Sequence, residues 1–208
     1  KFSPTENVDW KAELPGASAA TPVVWNDHVF VNAVDREKKE IHAICLQAST
    51  GKILWSRVVV KGRVRIDDRS DFSSPSPVTD GKHVAFFFGN GELIVYDMSG
   101  KEIWRWETWN PNKIGHWRLV PSPVAGSGVA LACAPKRSPI YAVDMKNGEL
   151  LWKSQDKEVS SDVCTPLYHD GHFYVLNGEF KDKRLCCVEA RSGKVRWMGP
   201  LGTRAKIE

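Results

Sequence analysis

Lys146-Asn147-Gly148-Glu149-Leu150-Leu151-Trp152 decides the fold, because the chain writes this stretch four times. Ser49-Thr50-Gly51-Lys52-Ile53-Leu54-Trp55, Ser99-Gly100-Lys101-Glu102-Ile103-Trp104 and Ser192-Gly193-Lys194-Val195-Arg196-Trp197 follow the same plan, with the tryptophan four residues after the glycine each time. A second signature opens each unit: Thr21-Pro22-Val23, Ser76-Pro77-Val78, Ser122-Pro123-Val124 and Thr165-Pro166-Leu167, with prolines 55, 46 and 43 residues apart. Two signatures held in phase through four units mark an internal repeat.

Between the signatures the period is two. In the second unit Asp80-Gly81 precedes His83-Val84-Ala85-Phe86-Phe87-Phe88, Gly89-Asn90-Gly91 precedes Leu93-Ile94-Val95-Tyr96-Asp97, and Ser99-Gly100 precedes Glu102-Ile103-Trp104-Arg105. Short β-branched and aromatic runs joined by Asp-Gly, Asn-Gly and Ser-Gly are strands joined by tight turns. The third unit predicts strands over 129–134, 140–145 and 150–153, the fourth over 172–177, 185–190 and 195–198. Four antiparallel strands repeated every 40 to 50 residues predict an all-β protein of β-propeller blades. The expected blades span about 18–57, 72–107, 119–154 and 162–199, with residues 200–208 leading into a further unit. A β-sandwich of duplicated hairpins accounts for the strands but not for the phase or the four equivalent tryptophans.

Composition sets the outer limits. The chain has 208 residues, 42% hydrophobic and 26% charged, which suits a folded chain with a sizeable core. The net charge of +4 is spread without long like-charge runs, so no nucleic-acid arm is expected. No stretch is long and apolar enough for a spanning helix. Five cysteines, Cys45, Cys133, Cys164, Cys186 and Cys187, show neither a disulfide framework nor zinc-ligand spacing, and no metal site is expected. His42, His169 and Cys164 lack ligand spacing too. His28, His83 and His172 recur at one position of three units, which makes them turn and strand residues rather than parts of a single centre.

The phased tryptophans Trp55, Trp104, Trp152 and Trp197 fall on the outermost strand, where each is expected to cover the turn of a neighbouring blade and give its indole N–H to an acceptor there. Gly51, Gly100, Gly148 and Gly193 are the turn glycines of those units. Trp10, in Val8-Asp9-Trp10-Lys11, reads as the docking tryptophan of a lone outermost strand over 8–11, a candidate for ring closure. A tryptophan pair outside the phase lies in Trp109-Asn110-Pro111-Asn112-Lys113-Ile114-Gly115-His116-Trp117-Arg118. Trp109, His116, Trp117 and Arg118, with Arg65 from the mixed-charge connection 57–73, form a candidate ligand face, since aromatic plates beside hydrogen-bonding groups suit a sugar or a flat ligand. Loops over 33–40, 89–91, 135–138 and 178–183 are expected on the same side.

Ala142-Val143-Asp144-Met145-Lys146-Asn147-Gly148-Glu149-Leu150-Leu151-Trp152 resembles the tryptophan-docking motif of quinoprotein-like (PQQ-like) propellers, with Asn147 where threonine is usual. The first unit keeps Thr50-Gly51-Lys52 but has Cys45 and Gln47 at the alanine and aspartate positions; the fourth has Cys187 and Glu189. The likeness extends over residues 8 to 200 and covers both pyrroloquinoline-quinone dehydrogenases and the outer-membrane assembly lipoprotein propeller. It implies a ring of seven or eight blades, of which about four are present here, and a periplasmic or extracellular, envelope-associated place. It also implies a non-catalytic scaffold or binding module for a protein partner. Alternatives are a carbohydrate-binding propeller and a fragment of a quinone-dependent oxidoreductase. No cofactor is expected under the first reading, and pyrroloquinoline quinone with calcium only under the last. In such enzymes adjacent cysteines can floor the quinone, but Leu185-Cys186-Cys187-Val188-Glu189 reads as mid-strand, with its thiols on opposite faces. With four units and unmatched ends, the chain is expected either to be longer in nature or to self-associate through open blade flanks.

Overall fold

The computed structural model describes residues 3, 5–62, 72–107, 121–133, 139–154, 159–161, 164–177 and 183–201. Among them the chain is strand and turn, without a helix. Sixteen strands form four separate antiparallel sheets, each built from four strands consecutive in sequence. The first blade is β1 (Val23–Trp25), β2 (His28–Asp35), β3 (Glu40–Gln47) and β4 (Ile53–Lys61); the second is β5 (Val78–Thr79), β6 (His83–Phe87), β7 (Glu92–Asp97) and β8 (Glu102–Glu107). The third is β9 (Val124–Gly126), β10 (Val129–Cys133), β11 (Ile140–Asp144) and β12 (Leu150–Lys153). The fourth is β13 (Leu167–His169), β14 (His172–Asn177), β15 (Arg184–Glu189) and β16 (Val195–Pro200). Their short first strands are neighbours in succession, β1 to β5 to β9 to β13, as the inner strands of adjacent propeller blades are.

Both faces of each inner blade are buried, so the middle strands read as nearly continuous apolar runs rather than as strict alternation. Phe30, Val34, Ile41, Ala43 and Cys45 of the first blade pack with Val84, Phe86, Phe88, Ile94 and Tyr96 of the second. Ala85, Phe87, Leu93 and Val95 turn the other way, onto Ala130, Ala132, Val143 and Met145 of the third. Leu131, Ile140 and Ala142 then meet Phe173, Val175, Cys186 and Val188 of the fourth. Consecutive residues thus serve opposite flanks, the period of a strand turned into a stacking device. Burial pushes the Cys45 thiol and the Tyr96 phenol up to about 12 each.

Three expectations about segments change. The connection expected from residue 57 begins later, because β4 continues to Lys61 and pairs Val60 with Ile41 and Lys61 with Glu40. Half of the loop expected over 33–40 is strand, since β2 and β3 pair from His28–Gln47 out to Asp35–Glu40 and only residues 36–39 turn. The long hairpin supplies the extra ladder that β4 follows. Residues 8–11, the expected closure strand, run as irregular chain, since a strand needs a partner and none lies beside them among the described residues.

Candidate functional site

The most regular chemistry in the molecule lies at the junctions between blades, and it begins in the turn before each outer strand. The amide of the turn glycine donates back to the end of the third strand: Gly51 to Gln47 O at 2.8 Å, Gly100 to Asp97 O at 3.0 Å, Gly148 to Asp144 O at 2.9 Å and Gly193 to Glu189 O at 3.0 Å. All four glycines have φ between 71° and 79°, a left-handed conformation that side chains disfavour. Side chains of the third strand hold the turn as well. Asp97 Oδ1 accepts from the Ser99 hydroxyl and from the amides of Ser99 and Lys101, and the Ser99 bond leads in keeping that carboxyl below its ordinary range.

Just after the turn, each outer strand carries one extra residue. The ladder skips Leu54, Ile103, Leu151 and Arg196, so that Cys45 opposes Trp55, Val95 opposes Trp104, Ala142 opposes Trp152 and Cys187 opposes Trp197. A β-bulge immediately before the tryptophan bends the strand there and re-aims the ring.

The ring reaches the next blade. Trp55 donates its indole N–H to Met98 O at 3.1 Å, Trp104 to Met145 O at 2.9 Å and Trp152 to Ala190 O at 2.8 Å. The same rings lie flat on glycines: a Cβ added to Gly100, Gly148 or Gly193 would stand 2.6, 2.9 or 2.6 Å from Trp55, Trp104 or Trp152. Glycine is therefore needed twice over, for φ and for room. Arg57 reinforces the first junction, donating from Nε to Gly100 O at 2.8 Å with its guanidinium 5.8 Å from the centre of the Trp55 ring. Arg191 ties the fourth blade to the third, at 3.3 Å from both Asp144 Oδ2 and Ser127 O.

A second chain of bonds runs between the proline signatures. The amide of Thr21 donates to Ser76 Oγ at 2.9 Å, that of Ser76 to Ser122 Oγ at 2.9 Å and that of Ser122 to Thr165 Oγ1 at 3.2 Å. Sequence reading found the signature but not this use. The clue was there: a hydroxyl residue stands before all four prolines, and proline removes the next amide while leaving the hydroxyl residue's own N–H free to point sideways.

The two ends differ. On the first blade, Trp10 donates to Ala48 O at 2.7 Å and lies over Gly51, occupying the place a preceding blade's tryptophan would take. Ala12 and Leu14 cover Val31, Ala33, Ile44 and Leu46, and Val34 donates its amide to Ala17 O at 2.8 Å. The fourth blade has no such cover among the described residues. Trp197 is 47% exposed against 6% for Trp55, with Tyr174 beside it at a ring separation of 6.2 Å, and Leu167 is 70% exposed.

Trp109, His116, Trp117, Arg118 and Arg65, the candidate ligand face, lie outside the described residues, as does most of the loop over 178–183 and all of that over 135–138. Among the described residues no three histidine, cysteine or acidic side chains come together as a metal-holding group. Cys186 and Cys187 form no disulfide and serve opposite flanks, Cys186 against the third blade. They do not form the adjacent-cysteine floor a quinone would need, and the two residues do not fit that group. His83 binds Asp80 Oδ2 through Nδ1 at 3.1 Å, and His172 Nδ1 lies 2.7 Å from Asp170 O, both within turns. His42 is different: buried on the first blade's outer flank, it lies 3.5 Å from Glu40 Oε2 and from Ser56 Oγ, and burial holds its pKa below the ordinary 6.5.

Four sheets of four antiparallel strands, the first three each passing a tryptophan to the next, define a partial β-propeller of PQQ-like repeats. The chain belongs to the PQQ_2 family, described as outer membrane protein assembly factor BamB, whose model matches residues 3–197. Among solved structures, BamB from Moraxella catarrhalis is similar at 17% identity and a TM-score of 0.56, over 92% of this chain and 51% of that one. The quinohemoprotein alcohol dehydrogenase of Comamonas testosteroni is similar at 16% identity and a TM-score of 0.64, over 93% of this chain and 36% of that one. In sequence, 26% identity over 205 residues relates it to the serine/threonine-protein kinase AfsK of Streptomyces coelicolor, covering 94% of this chain and 21% of the kinase. The chain thus spans about a fifth of that curated relative and about half of BamB. No described helix is long and apolar enough to cross a membrane, which leaves β-barrels unaddressed.

Proposed function

We propose that the chain is a non-catalytic scaffold or binding module, one arc of a PQQ-like propeller working in the cell envelope on a protein partner. The observation that carries this reading is the junction geometry. Three successive junctions join the four blades by the same pair of bonds, and the fourth blade presents the donor half of that pair, Trp197 and the Thr165 amide, without a described acceptor. A module whose repeated polar chemistry is spent on joining sheets is suited to holding surfaces in place. The description of the matching family, an outer-membrane assembly factor, supports the envelope and a protein partner. The tryptophans and turn glycines are, on this reading, its structural residues.

Titration with pyrroloquinoline quinone and calcium tests the reading, followed by ultraviolet-visible absorption and tryptophan quenching. No saturable binding is expected. Saturable binding with a calcium requirement would move the chain to the oxidoreductase class, which at present has only a likeness of fold. The carbohydrate reading stands on Trp109 and Trp117 and has no described geometry behind it.

A further inference from the structure

We infer that Asn147-Gly148 is a covalent modification site, an asparagine that water converts to aspartate or isoaspartate when the junction between the second and third blades opens. The inference goes beyond the scaffold reading and holds whether or not a cofactor binds. It starts from a comparison of the turns before the outer strands. In three of them the residue before the glycine accepts a bond from the amide two positions on: Thr50 Oγ1 from Lys52 at 3.3 Å, Ser192 Oγ from Lys194 at 3.2 Å and Asn147 Oδ1 from Glu149 at 3.0 Å. Asn147 does the work of the hydroxyl residues, but it also sets a carboxamide carbon beside a glycine amide. No side chain hinders that nitrogen, and Asn147 is exposed to water.

The reaction is a ring closure. The Gly148 nitrogen attacks Asn147 Cγ, the Cγ–Nδ2 bond breaks, and ammonia leaves with the proton that the Gly148 amide gives up. Water then opens the succinimide at either carbonyl, to aspartate or to isoaspartate. The closed junction holds both reacting groups off this path. The Gly148 N–H donates to Asp144 O at 2.9 Å, and the Glu149 amide holds Asn147 Oδ1. Trp104 clamps the turn from the second blade, its indole on Met145 O at 2.9 Å and its ring 2.9 Å from where a Gly148 Cβ would stand. Arg191 grips Asp144 from the fourth blade. Closure turns the peptide between residues 147 and 148, so the Trp104 ring must lift first. Isoaspartate routes the main chain through Cβ and adds a backbone atom, which keeps the Gly148 amide from returning to Asp144 O beneath the ring. A transient local opening is thereby recorded as a covalent change. Asn90-Gly91 is the internal control. It lies in the β6–β7 turn, at the other end of β7 from the junction turn, with Asn90 half-buried and Gly91 buried and donating to Phe88 O at 2.8 Å.

Peptide mapping by mass spectrometry tests this on the full chain aged in mildly alkaline buffer. It follows each asparagine by the mass gained when NH2 is exchanged for OH, and chromatography separates aspartate from isoaspartate. In the folded wild type Asn147 should convert at least about tenfold more slowly than in the urea-unfolded chain, because the rate scales with the open fraction of the turn. Trp104→Ala should raise the Asn147 rate about fivefold or more and leave Asn90 within about twofold. Circular dichroism reports whether that variant keeps its fold, and the same selective rise in wild type under sub-denaturing urea tests the gate without a variant. Asn147→Thr, the residue of the first unit, should keep the urea midpoint and abolish the isoaspartate. Folded wild type that converts at the unfolded rate overturns the proposal. So does equal acceleration at Asn90 and Asn147, which would assign the reaction to global unfolding. An isolated isoaspartyl fraction with the parent's urea midpoint and tryptophan emission overturns it as well, since the junction would then have closed again.

Discussion

A tryptophan in this chain is worth what its neighbour covers. Trp55 is nearly buried, seated between Phe30, Phe86 and Tyr96 at ring separations of 5.6 to 6.2 Å with its N–H satisfied, whereas Trp197 carries the same sequence signature in the open. Trp55→Ala should cost about 3 to 5 kcal/mol, as aromatic truncations in cores do. Trp197→Ala should leave the monomer's stability within about 0.5 kcal/mol. Urea unfolding at low protein concentration compares them, and equal losses would remove the distinction. His42 gives a second test at this scale. Glu40 and Asp35 favour its charge and Lys38 and Lys61 oppose it, but burial outweighs them and the neutral ring is the folded form. A histidine pKa depressed by folding means that the unfolded chain takes up the proton first. Its contribution is therefore full above the unfolded value of about 6.5 and declines as pH falls toward the lower folded value. His42→Gln should flatten the fall in denaturation midpoint between pH 7.5 and pH 5; an unchanged slope would assign that fall to other groups.

At the scale of elements, the turn and bulge before each outer strand work together, and the glycines separate their two demands. Gly100 needs both a positive φ of 79° and space for the Trp55 ring, while Gly128 has φ of 71° with nothing near its missing Cβ. Gly128→Ala should cost about 1 kcal/mol, the strain alone. Gly100→Ala should cost clearly more and shift the tryptophan emission, because the ring must move off the turn. Similar losses at the two sites in paired unfolding curves would show that the close approach carries no energy. The bulge could not be read from the alternation of apolar residues, since Leu54, Ile103, Leu151 and Arg196 are ordinary strand residues beside a tryptophan. Only the pairing of Cys45 with Trp55 and of Leu46 with Ile53 exposes it. Likewise the loop expected over 33–40 is shorter in the fold, because the polar run Asp35-Arg36-Glu37-Lys38-Lys39-Glu40 begins and ends in paired strand and only residues 36–39 make the turn.

For the whole molecule, stability is a sum over neighbouring sheets, as in other repeat architectures. Residues 8–17 add to that sum on the first blade, whose flank they cover. Removing residues 1–17 should lower the urea midpoint and raise the binding of a hydrophobic dye, by exposing Val31, Ala33, Ile44 and Leu46. A truncated chain as stable as the parent would mean that the segment rests on the flank without protecting it.

What the amino-acid sequence determined by itself was local and periodic: the all-β class, four blades of four strands, the turn glycines and the phase of the tryptophans. Such features depend on nearest-neighbour chemistry, on which residues tolerate a left-handed turn and which strands alternate, and they repeat, so each unit corroborates the others. What only the tertiary structure decided was which surfaces meet. That Trp10 reaches Gly51 and that hydroxyls before the prolines take amides from the preceding blade depend on contacts more than thirty residues apart. A repeat writes the same residues at every junction. Whether a junction is filled is set by what lies next to it in space.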